Sequence, residues 1–462
     1  MKSSGLNIPH WPLRGWLLWP GLLALWLYAL LDIALPSIGS AAANLVAVLG
    51  LIAVLIHGGS LRSSGPLWLL LSALLVESIS WGMGYWHHPQ WVADNPELDR
   101  LAKLFIFISV AWWLGGSTRH TLLVWLLALV GLLITPFSLG NGIQEWVDGF
   151  QGQRVGFGVR NLQHGSMLFG VAFLGLVCFA KRIVCRAGRL SSWRFVIWLS
   201  VLIVCAVSLV IGQTRAVWLA LLCALPVAGA LWFFINVSRG RFRYVGGKRL
   251  ALVGVAAVLV VTTLILTFQD TLMKRVYTES GVVTELMSGD IDNVPYSSIG
   301  IRIHSWRAAF EWIAERPVFG WGSKGRSLVM EQTPWLPQDI KDQFGHLHNF
   351  MIEIWVAYGL LGVLLILTLM FWVGRGSWLA WRGGVMPSDI ALFGTAFFIY
   401  WVVVNQFESY NSFWTGVYVH NLIVGGLVTH IWRWQVETGG SVLGRCRTHP
   451  PIREPHEARD DG

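Results

Sequence analysis

Long apolar runs separated by short polar turns set the pattern of this chain. They lie at roughly 16–35, 41–57, 66–86, 103–117, 120–138, 165–180, 195–211, 216–236, 250–268, 349–373, 388–406 and 412–432. Most approach the ~20 residues that a helix needs to cross a hydrocarbon layer of ~30 Å. The pattern predicts an all-α polytopic membrane protein of about twelve transmembrane helices. Two polar segments are too long to be simple connections. One runs from Gly140 to His164, and the other from Gln269 to Leu347, roughly 80 residues where connections are usually under about 15. The expected organisation is helices 1–9 in residues 1–268, a large loop at 269–347, helices 10–12 in 348–434, and a polar, disordered tail at 435–462.

Composition fits this reading. Hydrophobic residues make up 55% of the chain and charged residues 13%, with a mean hydropathy of +0.57. A soluble domain carries roughly 25% charged residues, so lipid must be the solvent for most of this surface. The 28 tryptophans suit membrane–water interfaces. The first apolar run has few flanking cations and no small-residue cleavage site, and it reads as a retained first helix.

The net charge of +9 is topological, not a nucleic-acid footprint. With both termini inside, 21 lysines and arginines face the cytoplasm, including the clusters Lys181–Arg194 and Arg239–Arg249. The other side holds 13, eight of them in the long loop, which the orientation rule discounts. The expected location is the bacterial inner membrane, with cytoplasmic termini and a periplasmic loop. None of Cys178, Cys185, Cys205, Cys223 and Cys446 has metal-ligand spacing or lies in an external loop, so neither a disulfide framework nor a zinc site is expected.

Candidate chemistry gathers on the external side. Arg215 follows Gly212-Gln213-Thr214 between two apolar runs. A charge so near hydrocarbon needs a partner or a cavity, or else snorkels to headgroups. His346-Leu347-His348-Asn349 ends the long loop and opens a helix. His348 could take a proton from a sugar hydroxyl near neutral pH, while Asn349 could simply cap the helix. Within the loop, Ile303, Trp306, Phe310 and Ile313 recur at helical spacing, with Arg302 at the entrance and Pro317 as a stop. That apolar face could lie on the outer leaflet. Arg154 adds positive charge to the shorter external segment, where Arg160 and His164 suit lipid headgroups better.

Three further patterns carry less. Gly320-Trp321-Gly322-Ser323-Lys324-Gly325 spells a dinucleotide-binding pattern but follows no strand and reads as a turn-rich loop. Asp290-Ile291-Asp292 reads as solvated loop, not a metal pair. Glu77, Glu353 and Glu408 could form a proton path or pair with buried arginine or histidine.

The run His348-Asn349, nine residues, Gly359, two residues, Gly362 resembles the signature of bacterial O-antigen ligases. The stretch from Arg302 through Arg316-Pro317-Val318-Phe319-Gly320-Trp321-Gly322 resembles that family's entry to the periplasmic loop, and Arg215 resembles its arginine at the outer end of a membrane helix. The resemblance implies a GT-C-like glycosyltransferase that needs no metal or other cofactor. It would transfer glycan from undecaprenyl pyrophosphate to a sugar of the lipid A core oligosaccharide, with inversion. Arg215 and Arg302, assisted by Arg154, would hold the pyrophosphate, and His348, with Asn349 beside it, would receive the acceptor. Two alternatives stay open: an O-antigen polymerase of the same superfamily, and a membrane transporter. Donor, acceptor and membrane lipids are the expected partners, with no nucleic acid.

Overall fold

The computed structural model describes residue 11 and residues 15–186, 189–238, 269, 285 and 292–444. The expected span at 250–268, the first residue of the Asp290–Asp292 pair, Cys446 and most of the tail lie outside the described residues. Helix α1 (Gly15–Leu31) packs against α2 (Pro36–His57), and α3 (Gly65–His87) follows. Pro36 opens α2 and Pro66 lies in the first turn of α3, where a missing N–H costs nothing. Next come α4 (Phe107–Leu114), α5 (Thr118–Ser138), capped by Ser117, and the short helix α6 (Ile143–Phe150). Helix α7 (Leu162–Cys178), capped by Asn161, packs against α8 (Ser192–Ile211). Helix α9 (Arg215–Ser238) completes the first half.

In the second half, α10 (Gly300–Glu315) and α11 (Gly325–Gln332) belong to the long loop. They are followed by α12 (Phe350–Arg382), α13 (Ser388–Val404) and α14 (Trp414–Thr438). Helix α12 packs on α3 and α14, and α9 packs on α13.

Among the described residues, six helices are long and apolar enough to cross a membrane by length and composition, and three shorter apolar ones begin at Trp16, Leu162 and Ser388. Many large apolar side chains on them face outward, Trp16, Trp19, Trp68 and Trp86 among them. The expected span at 103–117 is corrected. Its helical part, α4, has eight residues, all buried, and at ~1.5 Å per residue reaches only about 12 Å. It is an interior plug. Its interrupted backbone is satisfied from α14: Asn421 Oδ1 accepts from Phe107 N at 2.8 Å, and Thr429 Oγ1 accepts from Gly116 N at 2.8 Å. Helix α14 is buried almost all round, with Asn421, Thr429 and His430 fully enclosed, so it is a central post and not a lipid-facing span.

The long loop has its own small apolar core. Ala308, Ala309 and Ile313 of α10 meet Leu328, Val329 and Met330 of α11 and Ile352 and Val356 at the start of α12. The side of α10 that packs inside the loop differs from the apolar stripe of Ile303, Trp306, Phe310 and Ile313. The buried side is His304, Ser305, Ala308, Ala309 and Ile313, while Phe310 is 52% exposed. Two adjacent alanines let neighbouring helices approach closely on that side.

Candidate functional site

The site is built around two turns. The first, residues 346–349, joins the loop to α12. The second, residues 405–413, joins α13 to α14. Phe350 N donates to Asn405 O at 2.9 Å, fastening one turn to the other. Asn349 caps α12, accepting from Ile352 N at 3.1 Å, and its amide nitrogen donates to Gln406 Oε1 at 3.2 Å. Both ends of this amide are engaged inside the protein. Trp306 of α10 donates to Leu347 O at 2.8 Å.

Glu353 stitches the turns from below. It accepts from Leu347 N at 3.1 Å and from Ser412 Oγ at 2.7 Å, and it pairs with Arg326 at 3.4 Å. The Arg326 guanidinium lies over the Phe413 ring. So constrained, His348 takes a left-handed backbone with φ 53°, a conformation that costs a non-glycine residue about 1–3 kcal/mol and tends to occur at functional sites.

His348 Nδ1 lies 3.0 Å from Glu408 Oε2, and both residues are buried. A carboxylate can only accept, so Nδ1 carries the proton and Nε2 keeps its lone pair while the ring is neutral. Burial pushes the Glu408 carboxyl up. The hydrogen bond from His348 and the charges of His348, His346 and His164 outweigh that and hold it at about 2. His346 stacks beside His348 with ring centroids 3.9 Å apart, its Nδ1 3.7 Å from Glu408 Oε1. Burial, then the neighbouring His348, pull the His346 pKa below the ordinary histidine value, and Glu408 only partly offsets them.

Donor atoms of His346, His348 and Glu408 fall within 4.8 Å of one another, a spacing a metal ion could use. Without a metal, the Glu408 contact engages His348 Nδ1 and leaves Nε2 for proton handling.

The arginines surround this centre. Arg302, in the first turn of α10, donates to Phe407 O at 3.1 Å and to Ser298. It thus sits on the carbonyl directly before Glu408. Arg154 donates to Gly212 O and to Thr214 Oγ1, each at 3.1 Å. Both guanidinium groups act electrostatically on Tyr410, whose hydroxyl burial and Glu408 push up while these arginines pull it down. Arg215 is half-buried and opens α9, one residue after Thr214. Its approach to the centre runs through 212–214, where Gln213 also has φ 49°.

The structure therefore joins His348, Asn349 and Arg302 to one turn, and brings Arg154 to the residues that precede Arg215. His164 is corrected: it is buried, packs its ring against Tyr410 and Phe413, and pairs with Thr415 Oγ1, so it lines the site and does not face headgroups. Arg160 is exposed.

The weaker patterns resolve simply. Glu353 pairs with Arg326 and Glu408 with His348, the arginine or histidine pairing that one of the two sequence readings had, while Glu77 accepts from Leu101 N. Asp292 pairs with Arg307, which also lies near Glu311 at 3.8 Å. The glycine-rich stretch docks its backbone on α12: Trp321 N donates to Val356 O at 2.9 Å and Gly322 N to Ala357 O at 2.8 Å. Beyond it, Leu360 N donates to Pro317 O at 2.8 Å. These bonds require the break in α12 at Gly359, which has φ 62° and ψ −160°.

Sequence reading missed Arg326 and the specific pairing of Glu408 with His348. The pairing joins residues 60 apart, and no local spacing encodes it.

Residues 200–367 match the family model described as O-antigen ligase. A Haemophilus influenzae protein, named only as uncharacterized, is 24% identical over 218 residues, or 46% of this chain. That match spans 51% of the relative, about half its length. The family match covers Arg215, Arg302, His348, Asn349 and the glycines after them, so the part of the chain that carries the candidate site is the part similar to the O-antigen ligase family.

Proposed function

We propose that the chain is an O-antigen ligase: a GT-C-like, inverting glycosyltransferase of the inner membrane, with periplasmic site and cytoplasmic termini. It transfers glycan from undecaprenyl pyrophosphate to a sugar of the lipid A core oligosaccharide. The family itself supports ligase- or polymerase-type activity. The observation that carries the reading is the Glu408–His348 contact, which leaves Nε2 as the proton acceptor.

In this reaction the acceptor hydroxyl attacks the anomeric carbon from the face opposite the pyrophosphate. A bond forms from the acceptor oxygen to that carbon, and the bond to the pyrophosphate oxygen breaks with its electron pair. The hydroxyl proton goes to His348 Nε2, and Glu408 stabilises the imidazolium that results. Arg215, Arg302 and Arg154 neutralise the charge that grows on the departing pyrophosphate. They do so by charge-assisted bonds, each contributing roughly 1.5–3 kcal/mol. That is the work a metal performs in other transferases, and it is the basis for proposing a metal-independent reaction. Asn349 acts by holding the turn that presents His348.

A lipid-linked donor also has somewhere to lie. An apolar cavity of about 570 Å³ begins beside Asn405 and Gln406 and continues along α12 and α13 to Trp378 and Trp381. Its mouth adjoins the turn that carries Glu408, so a polyprenyl chain in it would leave the pyrophosphate near Arg302.

The test is the lipopolysaccharide of a strain lacking this gene, complemented with wild type or His348→Ala. Bare core with polymer left on its lipid carrier, rescued by wild type alone, supports a ligase. Core bearing a single repeat would mean a polymerase. An unchanged ladder would reject both.

A further inference from the structure

A second cavity runs along the bundle from Leu168 and Tyr418 to Arg182 and Arg194, at the end away from His348. It holds about 520 Å³ between α5, α7, α8 and α14, within the roughly 300–1,000 Å³ range of ligand pockets. Its walls are apolar: Leu122 and Trp125 of α5, Leu168 and Gly175 of α7, and Trp198 of α8. Along α7 it extends from Leu168 to Phe179, about 16 Å at ~1.5 Å per residue. That is about half of a ~30 Å hydrocarbon core, the depth of one leaflet.

Its mouth is basic. Arg182 and Arg194 line the cavity itself. Around them, Lys181, Arg186 and Arg189 stand exposed, the last two on a short antiparallel hairpin that pairs Cys185 with Leu190 and Arg186 with Arg189. The carboxylate described here is Asp389, and it is taken by a two-pronged pair with Arg182. Among the described residues, Lys181, Arg186, Arg189 and Arg194 have no carboxylate partner. Arg194 spends a single described hydrogen bond, to Cys185 O at 3.0 Å, out of five guanidinium donors. Trp193 is 63% exposed beside it, a side chain suited to headgroup level.

The geometry points to a bound anionic phospholipid, with its phosphate at Arg194 and the hairpin arginines and one acyl chain in the cavity. Positive charge alone would orient the helices, but it does not require a half-open apolar slot one leaflet deep behind Arg194. A zwitterionic lipid would fill the slot without neutralising the cations around it. The site is separate from the proposed transfer chemistry. Its cationic end is remote: Arg194 lies in the first turn of α8, at the end away from Thr214, and Phe179 follows the end of α7 away from His164, although the apolar part reaches back to Leu168, one turn past His164.

Native mass spectrometry of the detergent-purified full chain tests this, titrating palmitoyl-oleoyl phosphatidylglycerol against the phosphatidylcholine of the same chains. Wild type should retain the anionic lipid preferentially. Arg194→Gln should weaken that retention about fivefold, the worth of one cation near a lipid surface, and Arg194→Lys should restore most of it. Gly175→Leu should reduce binding with every cation still present, because the new side chain enters the cavity. The helical Gly175 meets only Phe393 at ordinary contact distance, so the substitution is tolerated by the fold. Equal retention of the two lipids would overturn the site. So would anionic binding that Arg194→Gln leaves unchanged, or that persists through Gly175→Leu.

Discussion

The two ends of the bundle treat charge in opposite ways. At the His348 end, buried charge is held by specific partners: Glu408 by His348, Glu353 by Arg326 and two further donors, Arg302 by Phe407 O, Arg154 by Gly212 and Thr214. Backbone strain collects there too, with positive φ at Phe157, Gln213 and His348. At the opposite end, Lys181, Arg186 and Arg189 are exposed. Held charge in a low-dielectric pocket can stabilise a specific transition state, because its orientation is fixed before reaction. Loose charge at a lipid surface attracts headgroups without choosing a geometry.

The contrast predicts a graded set of effects. The largest is His348→Ala, which should lower transfer from a lipid-linked donor by about 10²–10⁴-fold while the protein stays monodisperse. Full activity in that variant would remove the base from the reading. Next comes Glu408→Gln. It keeps the shape but loses the charge that stabilises imidazolium, and it should cost about a hundredfold in kcat with little change in KM. A KM effect alone would make Glu408 a packing residue. Arg215→Lys and Arg302→Lys should each cost roughly tenfold or more, since a lysine offers one point charge where arginine offers a fork. Full transfer by both lysine variants would end the pyrophosphate role. By contrast, Arg186→Gln at the other end should leave the transfer rate unchanged.

Stability should follow pH with the same asymmetry. His346 has its folded pKa below the ordinary 6.5, so the unfolded chain binds more protons in the window just below that value. Acidification from neutrality into that window should lower thermal stability, and His346→Gln should flatten the slope. Glu408 is depressed from 4.5 to about 2, so its contribution is complete above about 4.5 and disappears only as pH falls through 2. Mild acid should therefore act through the histidine and not the carboxylate. Scanning calorimetry in detergent at several pH values separates the two.

Much of this was legible in the chain because lipid imposes a one-dimensional code. Runs such as 120–138 and 195–211 became α5 and α8 with little adjustment. The code fails where protein replaces lipid as the solvent. The 103–117 run is as apolar as its neighbours, yet it breaks into a short buried helix because α14 supplies hydrogen bonds that lipid could not. On α10, Phe310 and Trp306 outrank the alanines by hydrophobicity, but close packing favours Ala308 and Ala309. His348 was found from its position at a loop–helix junction. Glu408 was noted only as a buried acid in need of a partner, since the pairing arises from two turns that meet in space.

The break in α12 makes the interval from Asn349 to Gly359 a ruler. Its upper end is clamped by Asn405, Gln406 and Glu353, and its lower end by the backbone of Pro317–Gly322. A Cβ on Gly359 would overlap the Val318 carbonyl, so the lower clamp cannot move to another residue without loss. One inserted residue between the clamps would swing the histidine by about 100° around the helix axis and raise it by about 1.5 Å. The two ends could not both stay fastened. A spacing that reads in the sequence as a family signature is, mechanically, the phase lock between an external loop and the membrane helix beneath it.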